Sequence, residues 1–275
     1  LTDDEKVHMR VLSRVAELIR NLSLDKSPAV QCKPLYLMVA DIIGTKDPYK
    51  KQKKETNREA LTLLPELRTF VNRASDPLDA AIHVAVAGNI IDMGIGHSFD
   101  FNREVDEILE IMKQKLAISA LARFRKEIGP GRRLLYLADN AGEIVFDRLL
   151  VEQIIENGAE VTVAVKSAPI INDATMTDAR IAGLTKIAKV IETWANDIGV
   201  NWKNVSPKFM KAVNESDVIL AKGHGNFETC DDRPENFYFL LKVKCDMVAR
   251  EIGAKLGDLV FKRSHEKKSG RTNNN

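Results

Sequence analysis

The second half of the chain alternates short apolar runs with helical patterns, and this alternation restricts the possible folds more than any other feature. After Gly129-Pro130-Gly131, the runs RRLLYLAD, EVTVAVKS, KVIETW and VILAKGHGN are separated by segments whose apolar residues recur at helical spacing. ENFYFLLKVK and GDLVFKRS are two further strand candidates. Strands that alternate with helices form parallel units covered on both faces. The pattern therefore predicts an α/β fold with a doubly wound, mostly parallel sheet.

The chain before this point has a different texture. Val7, Val11, Val15 and Leu18 repeat at helical spacing, and later segments up to RKEIG continue in that style. We predict a helical domain over residues 1–128, an α/β domain over 129–265 and a polar, disordered tail over 266–275. The lysine-rich KDPYKKQKKETN is predicted to be a solvated loop from which Lys54 or Asn57 reaches the site.

Composition excludes several classes of protein. A net charge of +2 over 275 residues gives no support for a nucleic-acid partner. No segment approaches the ~20 apolar residues of a membrane span, and the N-terminus lacks an apolar signal core. The three cysteines are far apart without a CxxC pair, which indicates reduced thiols. We therefore expect a cytoplasmic protein.

Polar residues follow the apolar runs at the positions where strands should end. Asp139 and Asn140 follow the first run, Lys166 ends the second with Asp173 downstream, and Lys222 ends the fourth. In an open parallel sheet, ligands bind beyond the carboxyl ends of the strands. These side chains are therefore expected to share one rim of the sheet.

The chemistry of this set is coherent. Asp139 and Asp173 offer carboxylate oxygens and Asn140 an amide oxygen, and such ligands suit Mg²⁺ or Mn²⁺. Lys166 and Lys222 are cations able to hold an anion. The glycines of GHGNFE permit the close backbone approach of a phosphate loop. A metal with two lysines suits phosphoryl chemistry, because charge that develops on the phosphoryl group is balanced by the cations.

Each residue also has a plain structural interpretation. Asn140 and Glu143 have the spacing of a capping box, and Asp173 could cap the helix that follows it. Lysines at strand ends are often only solvated charges. The occurrence of several such residues on one rim favours a site.

The helical region carries a second unusual pair. Asn89 and Asp92 lie three residues apart in DPLDAAIHVAVAGNIIDMG and would face the same way on a helix. A carboxylate in such an apolar segment is costly unless it is paired or functional. The alternative is a helix end that brings both residues to the surface.

Five segments taken together resemble a known family. LADNAGEIVFDRLL, VAVKSAPIINDATMTDA, AKGHGNFE, DPYKKQKKETN and DPLDAAIHVAVAGNIIDMG occur in the order, and with the motifs, of the DUF89 family of metal-dependent damage-control phosphatases, related to the ARMT1-like proteins. The likeness is to the short prokaryotic and archaeal branch and spans roughly residues 30 to 260.

The resemblance implies a Rossmann-like α/β domain joined to a helical domain, with a site in the cleft. It implies a divalent cation (Mg²⁺, Mn²⁺, Co²⁺ or Ni²⁺) as cofactor, and a small phosphorylated metabolite as partner. The site residues that it implies are Asp139, Asn140 and Asp173 for the metal, Lys166, Lys222 and Asn226 for the phosphate, and Glu143, Asn89 and Asp92 lining the cleft, with Asn89 on the substrate side.

The activity implied is hydrolysis of phosphomonoesters such as sugar phosphates or damaged phosphometabolites. Asp139 is a catalytic candidate, and Glu143, Asp92 and Asp178 are candidates for general acid or base. An aspartyl-phosphate on Asp139 is an alternative, although Ala141 stands where a haloacid dehalogenase has its second aspartate. Two rival functions are an S-adenosylmethionine-dependent methyltransferase, which the missing GxGxxG does not favour, and a non-catalytic phosphometabolite-binding protein.

Overall fold

The computed structural model describes residues 2–23, 28–88, 101–193 and 196–264. These residues form eleven α-helices and one seven-stranded sheet. The helices are α1 Glu5–Ile19, α2 Pro28–Ile43, α3 Lys50–Arg73, α4 Pro77–Ala87, α5 Phe101–Lys113, α6 Leu121–Glu127, α7 Glu143–Glu156, α8 Met176–Ile181, α9 Pro207–Glu215, α10 Gly223–Cys230 and α11 Asp246–Ile252. The strands are β1 Ile118–Ser119, β2 Arg133–Leu137, β3 Glu160–Val165, β4 Lys189–Glu192, β5 Val218–Lys222, β6 Phe237–Lys242 and β7 Leu259–Arg263.

The strand order of the sheet confirms the predicted doubly wound α/β fold. The order is β1-β7-β6-β5-β2-β3-β4, and the pairs within β6-β5-β2-β3-β4 are parallel. β7 runs antiparallel to β6 and carries the short β1 at the edge. The chain proceeds outward from β2 through β3 to β4, then returns to β5 on the other side of β2. This reversal between β2 and β5 is the switch point where such sheets bind ligands.

Both faces of the sheet are covered, as the continuous apolar strands require. Along β2, Leu134 and Tyr136 face the layer that contains α4 and α7, while Leu135 and Leu137 face α9, α10 and α11. The same alternation continues in the neighbouring strands, because successive side chains of a strand point to opposite faces.

The N-terminal helices are packed onto one face of this sheet. Side chains of α3, α4 and α5 belong to the same apolar cluster as those of α7 and β2. α4 begins at Pro77 after the capping residue Asp76, whose Oδ1 accepts from Asp79 N–H at 3.2 Å. All of its residues except Pro77 and Asp79 are buried. The helical layer and the sheet therefore share one core.

The sheet begins upstream of the position at which the sequence pattern changes. Ile118 and Ser119 of β1 pair with Val260 and Phe261 of β7. In α6, Phe124 makes edge contacts with the rings of Tyr238 and Phe261, at centroid distances of 5.0 and 5.1 Å. The sheet thus includes residues that lie before 129, where the sequence places the start of the α/β domain.

Two segments that were expected to be loops are helices. The lysine-rich run enters α3 at Lys50, and its Lys53 and Asn57 are buried. GHGNFE, predicted to be a phosphate loop, forms the first part of α10. Within the described ranges, no helix is long and apolar enough to cross a membrane. Asn89, Asp92 and the predicted tail at 266–275 lie outside the described residues.

Candidate active site

The polar residues predicted to share a rim do meet at the switch point. Asn140, just after β2, forms an antiparallel bridge with Asp173, and Lys166, just after β3, forms a parallel bridge with Thr175. The Ala174 N–H donates to the Asp139 carbonyl oxygen at 2.8 Å, and the Ala141 N–H donates to that of Asn172 at 2.8 Å. These backbone bonds hold the segment around Asp173 against the end of β2.

The two aspartates lie in an environment that disfavours their negative charge. Burial raises the pKa of the Asp139 carboxyl group well above its usual range, and the negative charges of Glu143 and Asp173 raise it further. Burial also raises the pKa of Asp173 to about 6, against the opposing charge of Lys166. The Lys166 Nζ lies 3.6 Å from Asp173 Oδ2. A cation between the carboxylates would relieve this repulsion.

The Asn140 amide is oriented by carboxylates. Its Nδ2 donates to Asp139 Oδ2 and to Glu143 Oε2, both at 3.1 Å. These two bonds fix the orientation of the Asn140 amide group. The capping interpretation of Asn140 is wrong: the residue before α7 is Gly142, with no side-chain cap.

The capping interpretation of Asp173 is also wrong. Thr175 and Asp178 form the capping box of α8, in which Asp178 Oδ2 accepts from the Thr175 N–H at 2.8 Å. Asp178 Oδ1 accepts from Asn57 Nδ2 at 2.7 Å. Because both of its oxygens have structural partners, Asp178 is a poor candidate for a general acid or base. Asn57 does reach the rim, since its Oδ1 accepts from the Gly142 N–H at 2.8 Å.

Lys222 is fully buried in a network of its own. Its Nζ donates to the Ala85 carbonyl at 2.8 Å, to Glu143 Oε1 at 2.6 Å and to Asp147 Oδ1 at 2.6 Å. Against the effect of burial, Asp147 and Glu143 raise the pKa of Lys222, which keeps it charged. An ammonium group has three donors, and all three are used. In the structure Lys222 therefore holds Glu143 and Asp147, and its contact with a phosphate stays a prediction.

Two other predicted phosphate ligands also bind the protein itself. Lys166 Nζ donates to the Gly199 carbonyl, next to its ion pair with Asp173. Asn226 Nδ2 donates to the carbonyls of Lys222 at 2.8 Å and Ala138 at 3.2 Å. The Asn226 amide nitrogen thus ties the end of β5 to the end of β2.

Gly223 allows α10 to begin directly beside Asp139. Its φ is +76°, and a Cβ added at this position would overlap the Asp139 carboxylate. The first N–H groups of a helix have no intrahelical acceptor. The start of α10 therefore lies beside the Asp139 carboxylate, and a helix N-terminus favours negative charge.

Two side chains of the site, Asp147 and Tyr36, were not predicted from the sequence. Asp147 lies four residues after Glu143, and this i, i+4 spacing around the apolar residues 144–146 was a usable signal. Burial raises the pKa of Tyr36 in α2, with smaller contributions from Cys32, Tyr49 and Asp173. The contribution from Asp173 places Tyr36 near the rim. No pattern in QCKPLYLMVA marks this tyrosine.

The donor chemistry of the rim fits a divalent cation. Among the residues that the structure describes, no three His, Cys, Asp or Glu side chains form a ligand cluster. The predicted set instead combines two carboxylates, Asp139 and Asp173, with the Asn140 amide. Such an oxygen set suits Mg²⁺ or Mn²⁺, which keep several waters. The residues therefore fit the cofactor that the resemblance implies.

Comparisons with known proteins agree with the fold and the motifs. The family model of the damage-control phosphatase ARMT1-like domain matches residues 1–260. The damage-control phosphatase PH1575 of Pyrococcus horikoshii is 37% identical over 270 residues, covering 96% of this chain and 91% of that protein. A damage-control phosphatase of Archaeoglobus fulgidus is 34% identical, covering 95% and 92%. The crystal structure of PH1575, a DUF89 family protein, matches with a TM-score of 0.88 at 35% identity, covering 96% of this chain and 92% of that one. The chain therefore belongs to the family of damage-control phosphatase ARMT1-like domains.

Proposed function

We propose that this protein is a metal-dependent phosphatase that hydrolyses phosphomonoesters of small metabolites. Membership of the family supports a phosphatase that acts on damaged metabolites. The observation that carries the finer proposal is the convergence of Asp139, Asn140 and Asp173 at the switch point of the sheet. Two crowded carboxylates whose pKa values are raised by burial favour a cation between them.

Asp139, Asn140 and Asp173 would hold the cation. A divalent metal, when bound, supplies a Lewis acid that polarises a phosphoryl oxygen. The Asn140 amide is kept in place by a chain of hydrogen bonds that runs from Lys222 through Glu143. Glu143 and Lys222 are therefore positioning residues, because they act through Asn140.

The phosphoryl group would be bound by Lys166 and by the N-terminus of α10. Lys166 brings a positive charge to the edge of the carboxylate pair. The N-terminus of α10 brings backbone N–H donors close to Asp139. Together they would balance the negative charge that develops on the phosphoryl oxygens.

The direct test is hydrolysis of an aryl phosphate in the presence of Mg²⁺, Mn²⁺, Co²⁺ or Ni²⁺. We expect activity only with added cation, and a loss of about 100-fold or more in Asp139→Ala and Asp173→Ala. Asp217→Ala is the matched control, because Asp217 lies at the amino end of β5 and pairs with Arg132 at 3.3 Å. This variant should retain its activity.

Three outcomes would count against the proposal. Activity that survives EDTA would refute the role of the metal. A phosphosugar complex without turnover in any cation would indicate a binding protein. Binding of S-adenosylmethionine in the absence of metal would favour the methyltransferase alternative.

A further inference from the structure

A cavity of about 470 Å³ lies beside the candidate active site, at the carboxyl ends of β3 and β4. Its walls are the first turns of α3, the segment 167–169 after β3, and the start of α8. The volume lies within the range of pockets that bind small molecules. The functional roles argued above do not use this cavity.

The cavity and the predicted cation site share a wall. Ser167 lines the cavity and directly follows Lys166, and Thr175 lines it two residues after Asp173. The bridge between Lys166 and Thr175 joins these two segments. Lys53, also in the cavity wall, is close enough to oppose the burial that raises the pKa of Asp173. A molecule whose phosphate binds at Asp173 could therefore place its remaining atoms in this cavity.

One of the lysines in the wall is already neutralised by the protein. Lys53 Nζ lies 3.1 Å from Asp47 Oδ2 and 3.9 Å from Asp178 Oδ2. Asp178 is also bound by Asn57 and by the backbone of Thr175. These contacts fix the N-terminal part of α3 against α8.

The other two lysines of the wall are not used in this way. Lys50 and Lys54 are one turn apart on α3 and line the cavity together. Within the described part of the chain, neither ammonium group has an ion-pair or hydrogen-bond partner. Glu192 is the remaining charged side chain of the lining. The lining carries three lysines and three carboxylates, so its formal charges cancel, and Lys50 and Lys54 are its two cations without a carboxylate partner within 4 Å among the described residues.

The rest of the lining is suited to a carbon skeleton. The lining includes four apolar residues: Ala168, Pro169, Met176 and Ile181. Ser167 and Thr177 add hydroxyl groups. This combination of apolar surface with a few polar groups at the edge is typical of sites for small polar metabolites.

We propose that this cavity binds the part of the substrate that is distant from the scissile phosphate, and that Lys50 and Lys54 bind a second anionic group there. The inference rests on the proposed phosphatase function. It narrows the substrate class to phosphate esters that also carry a carboxylate or a second phosphate. The scissile phosphate lies at Asp139 and Asp173, and the second anion lies at the α3 end of the cavity.

The test compares three esters of the same carbon skeleton: glucose 6-phosphate, 6-phosphogluconate and glucose 1,6-bisphosphate. The wild-type protein should show a higher kcat/KM for the two esters that carry a second anion. In the double variant Lys50→Ala/Lys54→Ala, the ratio of their kcat/KM to that of glucose 6-phosphate should fall about tenfold. The fall should lie mainly in KM, because binding is lost, and it should shrink at high ionic strength.

Lys51→Ala is the matched control. Lys51 belongs to the same turn of α3, but its side chain is 90% exposed and lies 3.9 Å from Glu55. This variant should keep the wild-type ratio. A preference for 6-phosphogluconate alone identifies a carboxylate as the second anion, and a preference for the bisphosphate alone identifies a phosphate.

Two results would overturn the inference while leaving the phosphatase proposal intact. One is a wild-type protein whose kcat/KM for glucose 6-phosphate equals its kcat/KM for the two esters that carry a second anion. The other is a double variant that loses the same factor on all three substrates. A wild-type protein that hydrolyses no phosphate ester in any of the four cations would instead refute the proposed function itself.

Discussion

Gly223→Ala tests whether the start of α10 and the Asp139 carboxylate are fitted to each other. The new Cβ would lie 1.8 Å from the Asp139 Oδ2 position, so the carboxylate must move by about 1.6 Å to reach an ordinary contact. Metal–ligand distances tolerate only about ±0.2 Å. We therefore expect the affinity for Mn²⁺ to fall by about 100-fold.

The variant should also lose stability, in two separable parts. An L-residue at φ +76° costs about 1 kcal/mol through its backbone conformation alone. Overlap with Asp139 adds about 1–3 kcal/mol, as in other overpacked sites. The free energy of unfolding should therefore fall by about 2–4 kcal/mol in urea.

Gly131→Ala separates these two parts. Gly131 has a φ of +77°, yet a Cβ there would meet nothing within 4 Å. This control should lose only the backbone part, about 1 kcal/mol, and keep its Mn²⁺ affinity, as measured by titration calorimetry without substrate. The reasoning is refuted if Gly223→Ala binds Mn²⁺ as tightly as Gly131→Ala does, or loses no more stability.

Three further perturbations test the contacts of Lys222, the contacts of Glu152 and the proposed cation site. Lys222→Met should lower the free energy of unfolding by about 3–5 kcal/mol in urea titrations, because Glu143 and Asp147 would stay buried without their cation. Glu152→Ala should lower it by about 1–2 kcal/mol, because Glu152 joins Arg68 of α3 to α7. Saturating Mn²⁺, at 100 times its Kd, should stabilise the wild type by about 2.7 kcal/mol in thermal melts and leave Asp173→Ala unchanged.

The Lys222→Met variant has a matched control, and the Mn²⁺ experiment has an outcome that would contradict it. Lys211→Met removes an exposed lysine that lies 3.7 Å from Glu215, and it should change stability by less than about 0.5 kcal/mol. A Lys222→Met protein as stable as this control would contradict the buried network. Stabilisation of Asp173→Ala by Mn²⁺ would mean that the cation binds elsewhere.

The sheet and its rim could be predicted because they depend on short-range patterns. An apolar run such as LLYLA has to be buried on both faces, and parallel strands bring their carboxyl ends to one edge. Asp139, Lys166 and Asp173 follow such runs in the sequence, so their proximity follows from topology. Nothing about their exact distances was needed.

Tertiary packing decided the elements that the sequence did not predict. The KKQKKETN segment is polar, but every third or fourth residue of α3 is buried against α7 and α8, as Lys53, Asn57 and Ala60 show. Glycines are poor helix formers, yet GHGNFE is helical because Phe227 and Cys230 are buried against the sheet. β1 has two residues, too few to give a periodic signal.

The role of Lys222 illustrates a different kind of limit. A lysine at a strand end has the same sequence signature whether it faces a substrate anion or carboxylates of its own chain. The partners that decide this, Glu143 and Asp147, are one helical turn apart and about 75 residues away along the chain. Only the fold brings them to the Lys222 ammonium group.

The burial of α4 bears on how the molecule can move and how it can be divided. A helix that is apolar on all sides is stable only when it is enclosed, and α4 is enclosed by α3, α5, α7 and the sheet. The helical layer cannot swing away from the sheet as a rigid lid without exposing this helix to water. Unfolding should therefore occur as one cooperative transition, and fragments cut near residue 128 should aggregate when they are expressed alone. We expect substrate entry to rely on smaller displacements at the surface, such as those of α1, since no side chain of α1 is fully buried.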